Sequence, residues 1–438
     1  MKRGLKSGVL VMVFFMTAFG IFPALAQAKT EIVWWHAHTG FLADRVKEIV
    51  AKFNASQNEF AVKALSKGSY AENLTAGIAA YRAKTHPHIL QVYEVGTQVM
   101  LSSGAIYPVF QLMKDQGIKI DWADYLSVVR SYYSKGGNLY SMPFNSSTPI
   151  LYYNKTIFEK AGLNPMNPPT TFEEIEKCAR AAVSKGITKI GFTVAWPSWT
   201  LMENMHTWND QPFANNNNGF SAMATQLKIN GKLGVQILDL LTRWQKEGIF
   251  TYSGRTNRGD QPIINGQAAI GLASTALVGT LTRTAKFDWG TGSLPKLTGY
   301  PQGNSIIGGA SLWVMKGHKK EHYKAVAKFF EFLGQPEQQG WWHANTGYFP
   351  LTRAAVKALP EDHFRKNSNL WTAFAQITKG KTTPNSQGIR LGNFPAIRDT
   401  IEAEMENVFS GKKTPQQGLD DAVKKGNATL KEFASFYK

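Results

Sequence analysis

Between residues 31 and 93 the chain alternates short apolar runs with longer segments of helical period, and no other feature restricts its fold so strongly. Residues 31–35 read as a strand, residues 42–54 as a helix with Leu42, Val46, Ile49, Val50 and Phe53 on one face, and residues 60–64 as a second strand. A helix near 71–82 then leads into a strand over 88–93. Strands and helices in this rhythm form a parallel sheet covered on both faces. The fold class is therefore α/β.

The rhythm resumes after Ser147. Thr171, followed three residues later by Glu174, makes a capping box for a helix over 172–184. Strands at 189–194, 268–273 and 310–315 follow, with a helix at 233–247, and the last third is mostly helical, over 323–333, 336–344, 395–409 and 415–436. Two α/β lobes are implied. The chain has no repeat at a fixed period, and Asn215 to Asn218 form only a local polar loop.

Residues 1–28 carry the marks of a secretory signal: Lys2, Arg3 and Lys6, an apolar run over 9–22, and small-residue cleavage sites at Ala24-Leu25-Ala26 or Ala26-Gln27-Ala28. That run is short for a span of about 20 residues. No cysteine follows it to take a lipid, so a free periplasmic protein is expected, of a length that suits two or three domains at roughly 150 residues each. Loss of the three basic residues takes the net charge from +18 to +15, which favours anionic partners through the long-range field. The basic residues are scattered and not gathered on one element, so nucleic acid is not an expected partner. Cys178, the only cysteine, lies in a helical pattern beside Ile175, Ala179 and Ala182 and reads as a small packed residue.

Motifs for chemistry are thin. There is no Gly-x-Ser-x-Gly elbow, no P-loop and no His-Glu-x-x-His. His36 and His38, and likewise His86 and His88, have the spacing of one strand face, but neither pair has an obvious third ligand nearby; no metal site, cofactor or catalytic residue is expected.

The segment Leu151-Tyr152-Tyr153-Asn154-Lys155, then Phe158-Glu159-Lys160-Ala161-Gly162-Leu163, then Pro168-Pro169-Thr170-Thr171-Phe172-Glu173-Glu174-Ile175 resembles the solute-binding proteins of ABC importers. Further segments at strand ends and loops extend the resemblance over nearly the whole mature chain, toward the periplasmic receptors for sn-glycerol 3-phosphate. These include Lys67-Gly68-Ser69-Tyr70, Gln91-Val92-Tyr93-Glu94, Ile306-Ile307-Gly308-Gly309-Ala310-Ser311 and Leu391-Gly392-Asn393-Phe394-Pro395-Ala396-Ile397-Arg398.

The resemblance implies a two-lobed periplasmic-binding-protein fold, each lobe a mainly parallel sheet flanked by helices, with a ligand cleft between lobes. It implies a first lobe of 29–145 plus 304–333 and a second of 146–303 plus 334–438. It implies a monomeric receptor that binds sn-glycerol 3-phosphate or a glycerophosphodiester such as glycerophosphocholine and delivers it to a membrane permease with its cytoplasmic ATPase. Tyr70, Glu94, Ser147, Ser274, Gly309, Tyr348 and Arg398 are the implied ligand site, with Trp35, Phe172, Trp196 and Trp199 as an aromatic wall. In that set Arg398 and the hydroxyls suit a phosphate, and Glu94 is expected at the far end, on the glycerol hydroxyls. The resembled family usually carries tryptophan where Phe172 stands. An oligosaccharide receptor of the same family and a secreted phosphodiesterase or glycosidase are the rival readings.

Overall fold

The computed structural model of the 438-residue chain describes Met1 and residues 28–437, so the expected signal over 1–28 lies outside the described residues except at its ends. Along the first lobe run β1 (Thr30–His36), α1 (Gly40–Ser56), β2 (Phe60–Ser66), α2 (Tyr70–Arg82), β3 (Ile89–Tyr93), β4 (Ile106–Tyr107) and β5 (Met142–Ser147). Periodicity explains α1: Val46, Ile49, Val50 and Phe53 are its buried stripe. The start of α2 is fixed by a capping box in which the Ser69 hydroxyl accepts from the Glu72 N–H and the Glu72 carboxylate accepts from the Ser69 N–H.

After β5 the chain passes into the second lobe through β6 (Pro149–Asn154), α3 (Phe172–Ser184), β7 (Ile190–Val194), α4 (Lys232–Lys246), β8 (Ala268–Ser274), α5 (Leu277–Thr284) and β9 (Trp289–Gly292). Thr171 caps α3 by accepting from the Glu174 N–H, as the spacing predicts. Glu174 turns back one residue further than expected, onto Thr170. The chain returns through β10 (Gly308–Met315), α6 (Lys320–Leu333) and α7 (Pro336–Thr346), and ends with α8 (Phe394–Phe409) and α9 (Pro415–Ser435).

Where the rhythm predicts mainly parallel sheets, both are mixed. The first has the order β2-β1-β3-β10-β4 with β5 on the other side of β10, and the second β9-β6-β8-β7. The pairs β1–β2, β1–β3 and β7–β8 are parallel, whereas β10 runs antiparallel to β3, β4 and β5, and β6 to β8 and β9. In the first sheet β10 alone runs against the others, and it is the strand in which the chain re-enters the lobe. It arrives from across the cleft and not by a helical crossover, which would force the parallel sense.

Each lobe is filled by aromatics. Trp34 meets Phe144 edge-on with ring centroids 5.2 Å apart in the first, and Phe192 meets Trp244 at 5.8 Å in the second. Burying each such ring stabilises by roughly 1.5–3 kcal/mol. α7 lies against α1 and also against α5, and Trp342, Phe349 and Leu351 pack into the first-lobe core. An apolar helix face in the sequence does not say which lobe it covers.

Candidate functional site

A cavity of about 560 Å³ lies between the lobes, at the carboxyl ends of β1 and β3 and at the end of β8. Tyr70, Glu94, Ser147, Ser274, Gly309, Tyr348 and Arg398 all line it, as do Trp196 and Trp199. The elements explain the convergence. Glu94 is the residue after β3, Ser147 and Ser274 end β5 and β8, Tyr70 opens α2, and Arg398 stands one turn into α8, whose entry is turned by Asn393 in the left-handed conformation (φ 49°).

Gly309 has φ +88°, and a Cβ there would lie 1.8 Å from the Asn145 carbonyl oxygen. Only glycine permits the approach of β10 to β5 at this point.

Two members of the expected wall stand elsewhere. Phe172 is 1% exposed in the second-lobe core, its ring centroid 6.3 Å from that of Trp244. It is the first residue of α3, and neither it nor a tryptophan in its place faces the cavity. Trp35 lies under Lys67, whose Nζ is 4.0 Å from the ring, because the cavity begins two residues further on, at Ala37.

The polar centre is a buried charge cluster. Arg398 donates through Nε and Nη2 to the two carboxylate oxygens of Glu203 at 2.8 and 2.7 Å, and Nη2 also donates to Glu94 Oε1 at 2.7 Å. Burial works against the Arg398 charge, but Glu203 and Glu94 outweigh it and hold the guanidinium protonated. Burial pushes the Glu94 carboxyl up, opposed by Arg398 and reinforced by Glu203. Behind them burial raises Glu402 to about 7. The expected separation of Arg398 at one end of a ligand and Glu94 at the other does not hold, since the two are hydrogen-bonded.

Glu203 was missed by the sequence reading. It comes from a π-helical turn over Ser198–Glu203, a rare conformation frequent at functional sites, which also brings Trp199 to the cavity. Its signal was a carboxylate set among Trp199, Leu201, Met202 and Met205, since a buried charge needs a partner.

A second polar group faces it. Asn145 Nδ2 donates to the Tyr70 hydroxyl at 2.9 Å, and Gln91 Nε2 donates to Asn145 Oδ1 at 2.8 Å, so Tyr70 is held in place from β5 and β3. His38 lies at the cavity wall among Tyr70, Trp342 and Tyr348, and burial drops its pKa to about 3, leaving the ring neutral. The first residues of α1, α2 and α5 also line the space, so three helix amino termini look into it, that of α2 already capped by the Glu72 carboxylate, which lines the cavity as well.

Two buried polar atoms of the cavity wall lack partners. The Trp199 indole N–H and one Asp260 oxygen are buried without a hydrogen bond, and burial alone raises Asp260 to about 7. Trp196 is held at φ +53°, a strained conformation for a bulky residue.

The arrangement can enclose a small amphiphilic molecule with hydroxyls at one end and an anion at the other. Residues 48–372 match the family profile of the bacterial extracellular solute-binding proteins. The chain is 43% identical over 422 residues to the sn-glycerol-3-phosphate-binding periplasmic protein UgpB of Pectobacterium atrosepticum, covering 95% of both chains. It is 43% identical to the Escherichia coli K12 protein of that name, covering 93% of this chain and 94% of that one. Among solved structures, UgpB from Mycobacterium tuberculosis in complex with glycerophosphocholine superimposes with a TM-score of 0.77 at 20% identity, over 92% of this chain and 99% of that one. The GacH receptor of Streptomyces glaucescens gives 0.76 at 17% over the same shares. The last two likenesses speak for the two-lobed fold alone.

Proposed function

From the premise that this chain belongs to the bacterial extracellular solute-binding proteins, we propose that it is the periplasmic receptor of an ABC importer for sn-glycerol 3-phosphate and glycerophosphodiesters. The observation that carries the reading is the polarity of the cleft. Arg398 already commits Nε and Nη2 to Glu203 and Glu94, so it cannot present its fork to a phosphate, which would also meet two carboxyl groups there. What suits it is a pair of hydroxyls, donating to Glu94 and accepting from the free edge of Arg398.

The phosphate then belongs at the hydroxyl-rich part of the cavity, with Tyr70, Ser147, Ser274, Tyr348 and the glycine backbone at Gly309, where the helix amino termini favour an anion. Trp196 and Trp199 flank the carbon skeleton, and the Trp199 N–H gains an acceptor. A dehydrated site of this kind rejects molecules that leave its buried groups unpaired. Neither the charge cluster nor the hydroxyl group performs a step in this reading: the molecule is bound, the lobes close on it, and it passes unchanged to the permease and its ATPase. The segment 1–28 serves export and is cleaved, and the Pectobacterium and Escherichia relatives named above are periplasmic proteins.

Titration calorimetry of refolded, ligand-free protein tests the reading. One-to-one binding of sn-glycerol 3-phosphate or glycerophosphocholine is expected, and absence of heat with both refutes it. Incubation with glycerophosphocholine should release no choline.

A further inference from the structure

We propose that a histidine cluster at the opposite end of the first-lobe sheet is a binding site for a divalent transition-metal ion of the Zn²⁺ or Cu²⁺ kind, held by His88, His318 and His322 with His86 beside them. The whole of β3 separates His88 from Glu94, so this site stands apart from the cleft. His86 and His88 lack a third ligand in their own stretch of sequence. The fold supplies two: β10 runs antiparallel to β3 with Val314 opposite Ile89, which lays the turn after β10 and the start of α6 against residues 86–88.

Among the described residues, His88, His318 and His322 are the one group of three or more histidine, cysteine or carboxylate side chains whose ligating atoms all lie within 4.8 Å of one another. The His88 and His318 ring centroids are 4.0 Å apart, and those of His86 and His318 4.8 Å.

The proton positions follow from the partners. His86 Nε2 lies 2.7 Å from the Lys316 carbonyl and His318 Nε2 3.0 Å from the Pro87 carbonyl. A carbonyl can only accept, so both Nε2 atoms carry the hydrogen and both Nδ1 atoms are bare. Metal-binding histidines are oriented in this way by their outer nitrogen. His86 Nδ1 is moreover buried with no partner, a lone pair withdrawn from water and given nothing in return.

His88 is the ligand that must adjust. Its Nδ1 accepts from the Val33 N–H at 2.9 Å, so its hydrogen sits on Nε2, 3.0 Å from His322 Nδ1. When a cation replaces this N–H···N contact, the His88 proton moves to Nδ1 and the Val33 bond is given up. The separation needs little change, because two nitrogens bound about 2.0–2.1 Å from a tetrahedral ion stand roughly 3.3 Å apart. An all-imidazole set with no carboxylate selects late first-row divalent ions over Mg²⁺ and Ca²⁺.

The test is titration of untagged protein with ZnCl₂ and CuCl₂, an affinity tag of histidines being excluded. One equivalent of metal is expected to bind, weakened at least about 100-fold by the double substitution His318→Ala, His322→Ala. Equal affinity of the two proteins overturns the proposal. If the double variant fails to fold, electron paramagnetic resonance of the Cu²⁺-loaded wild type decides: coupling to two or more imidazole nitrogens supports the site, and an oxygen-only or single-nitrogen signal overturns it.

Discussion

Two clusters of arginine and glutamate in this molecule have nearly the same geometry and opposite surroundings. On the surface, Arg243 donates through both Nη atoms to Glu176 at 2.8 Å, while Arg180 bridges Glu176 and Glu247 at 2.8 and 2.7 Å. In the cleft, Arg398 makes contacts of 2.7 to 2.8 Å with Glu203 and Glu94. The surface arginine side chains are 47% exposed, whereas Arg398, Glu94 and Glu203 are 9%, 5% and 0% exposed. The surface set is balanced two to two, and the buried set has one arginine for two carboxyl groups, of which burial pushes Glu94 up. Distance alone therefore says little about energy or purpose. Water cares for the outer cluster, and the inner one is left with a need that a ligand's hydroxyls fill.

The largest effect expected from this difference comes from breaking the inner cluster. Arg398→Leu leaves Glu94 and Glu203 buried and facing each other, and removing one partner of a buried ion pair costs about 3–5 kcal/mol. Urea denaturation should show a loss of that size, and calorimetry a loss of ligand binding. Adding Glu203→Gln should return much of the stability without the binding. Should Arg398→Leu cost under about 1 kcal/mol, the inner cluster is no different from the outer one.

A second prediction uses Glu402, behind the inner cluster. Burial raises its folded pKa to about 7, above an ordinary carboxylate near 4.5. The folded state thus holds the proton more tightly than the unfolded one. The resulting stability is fully present below pH 4.5 and is lost as pH rises toward 7, by about 2–3 kcal/mol. Glu402→Gln should flatten that part of the stability profile in urea melts at pH 5 and pH 8. A profile unchanged by the substitution removes Glu402 from the cluster's electrostatics.

The sequence showed the outer cluster's helices and the inner cluster's strand ends about equally well. Periodicity placed α1, α3 and β3 within two residues of their observed ends, because each buries a stripe that its own spacing reveals. It could not place Glu203 beside Arg398, 195 residues away, since that meeting depends on a π turn and on how α8 packs. The resemblance supplied Tyr70, Glu94, Ser147, Ser274, Gly309, Tyr348 and Arg398 at one cavity, but not who touches whom, and it put Phe172 and Trp35 at a wall they do not reach. His318 and His322 were silent for the same reason, being brought to His86 and His88 only by the antiparallel sense of β10.

The smallest effect belongs to the outer cluster and has the reverse sign. Hydrogen bonds from Arg243, opposed by partial burial and reinforced by Arg180, hold Glu176 at about 2. Here the unfolded chain binds the proton more readily, so the stabilisation is present above pH 4.5 and is lost as pH falls toward 2. Solvent screening limits it: exposed pairs typically contribute about 0.2–1 kcal/mol. Glu176→Gln should therefore lower stability at pH 7 by less than about 1 kcal/mol, and raising the salt from 0.05 to 1 M should shrink the difference further, because the Debye length falls to about 3 Å. A loss above 2 kcal/mol that survives 1 M salt would mean that the outer cluster is as dehydrated as the inner one, and that exposure does not separate the two.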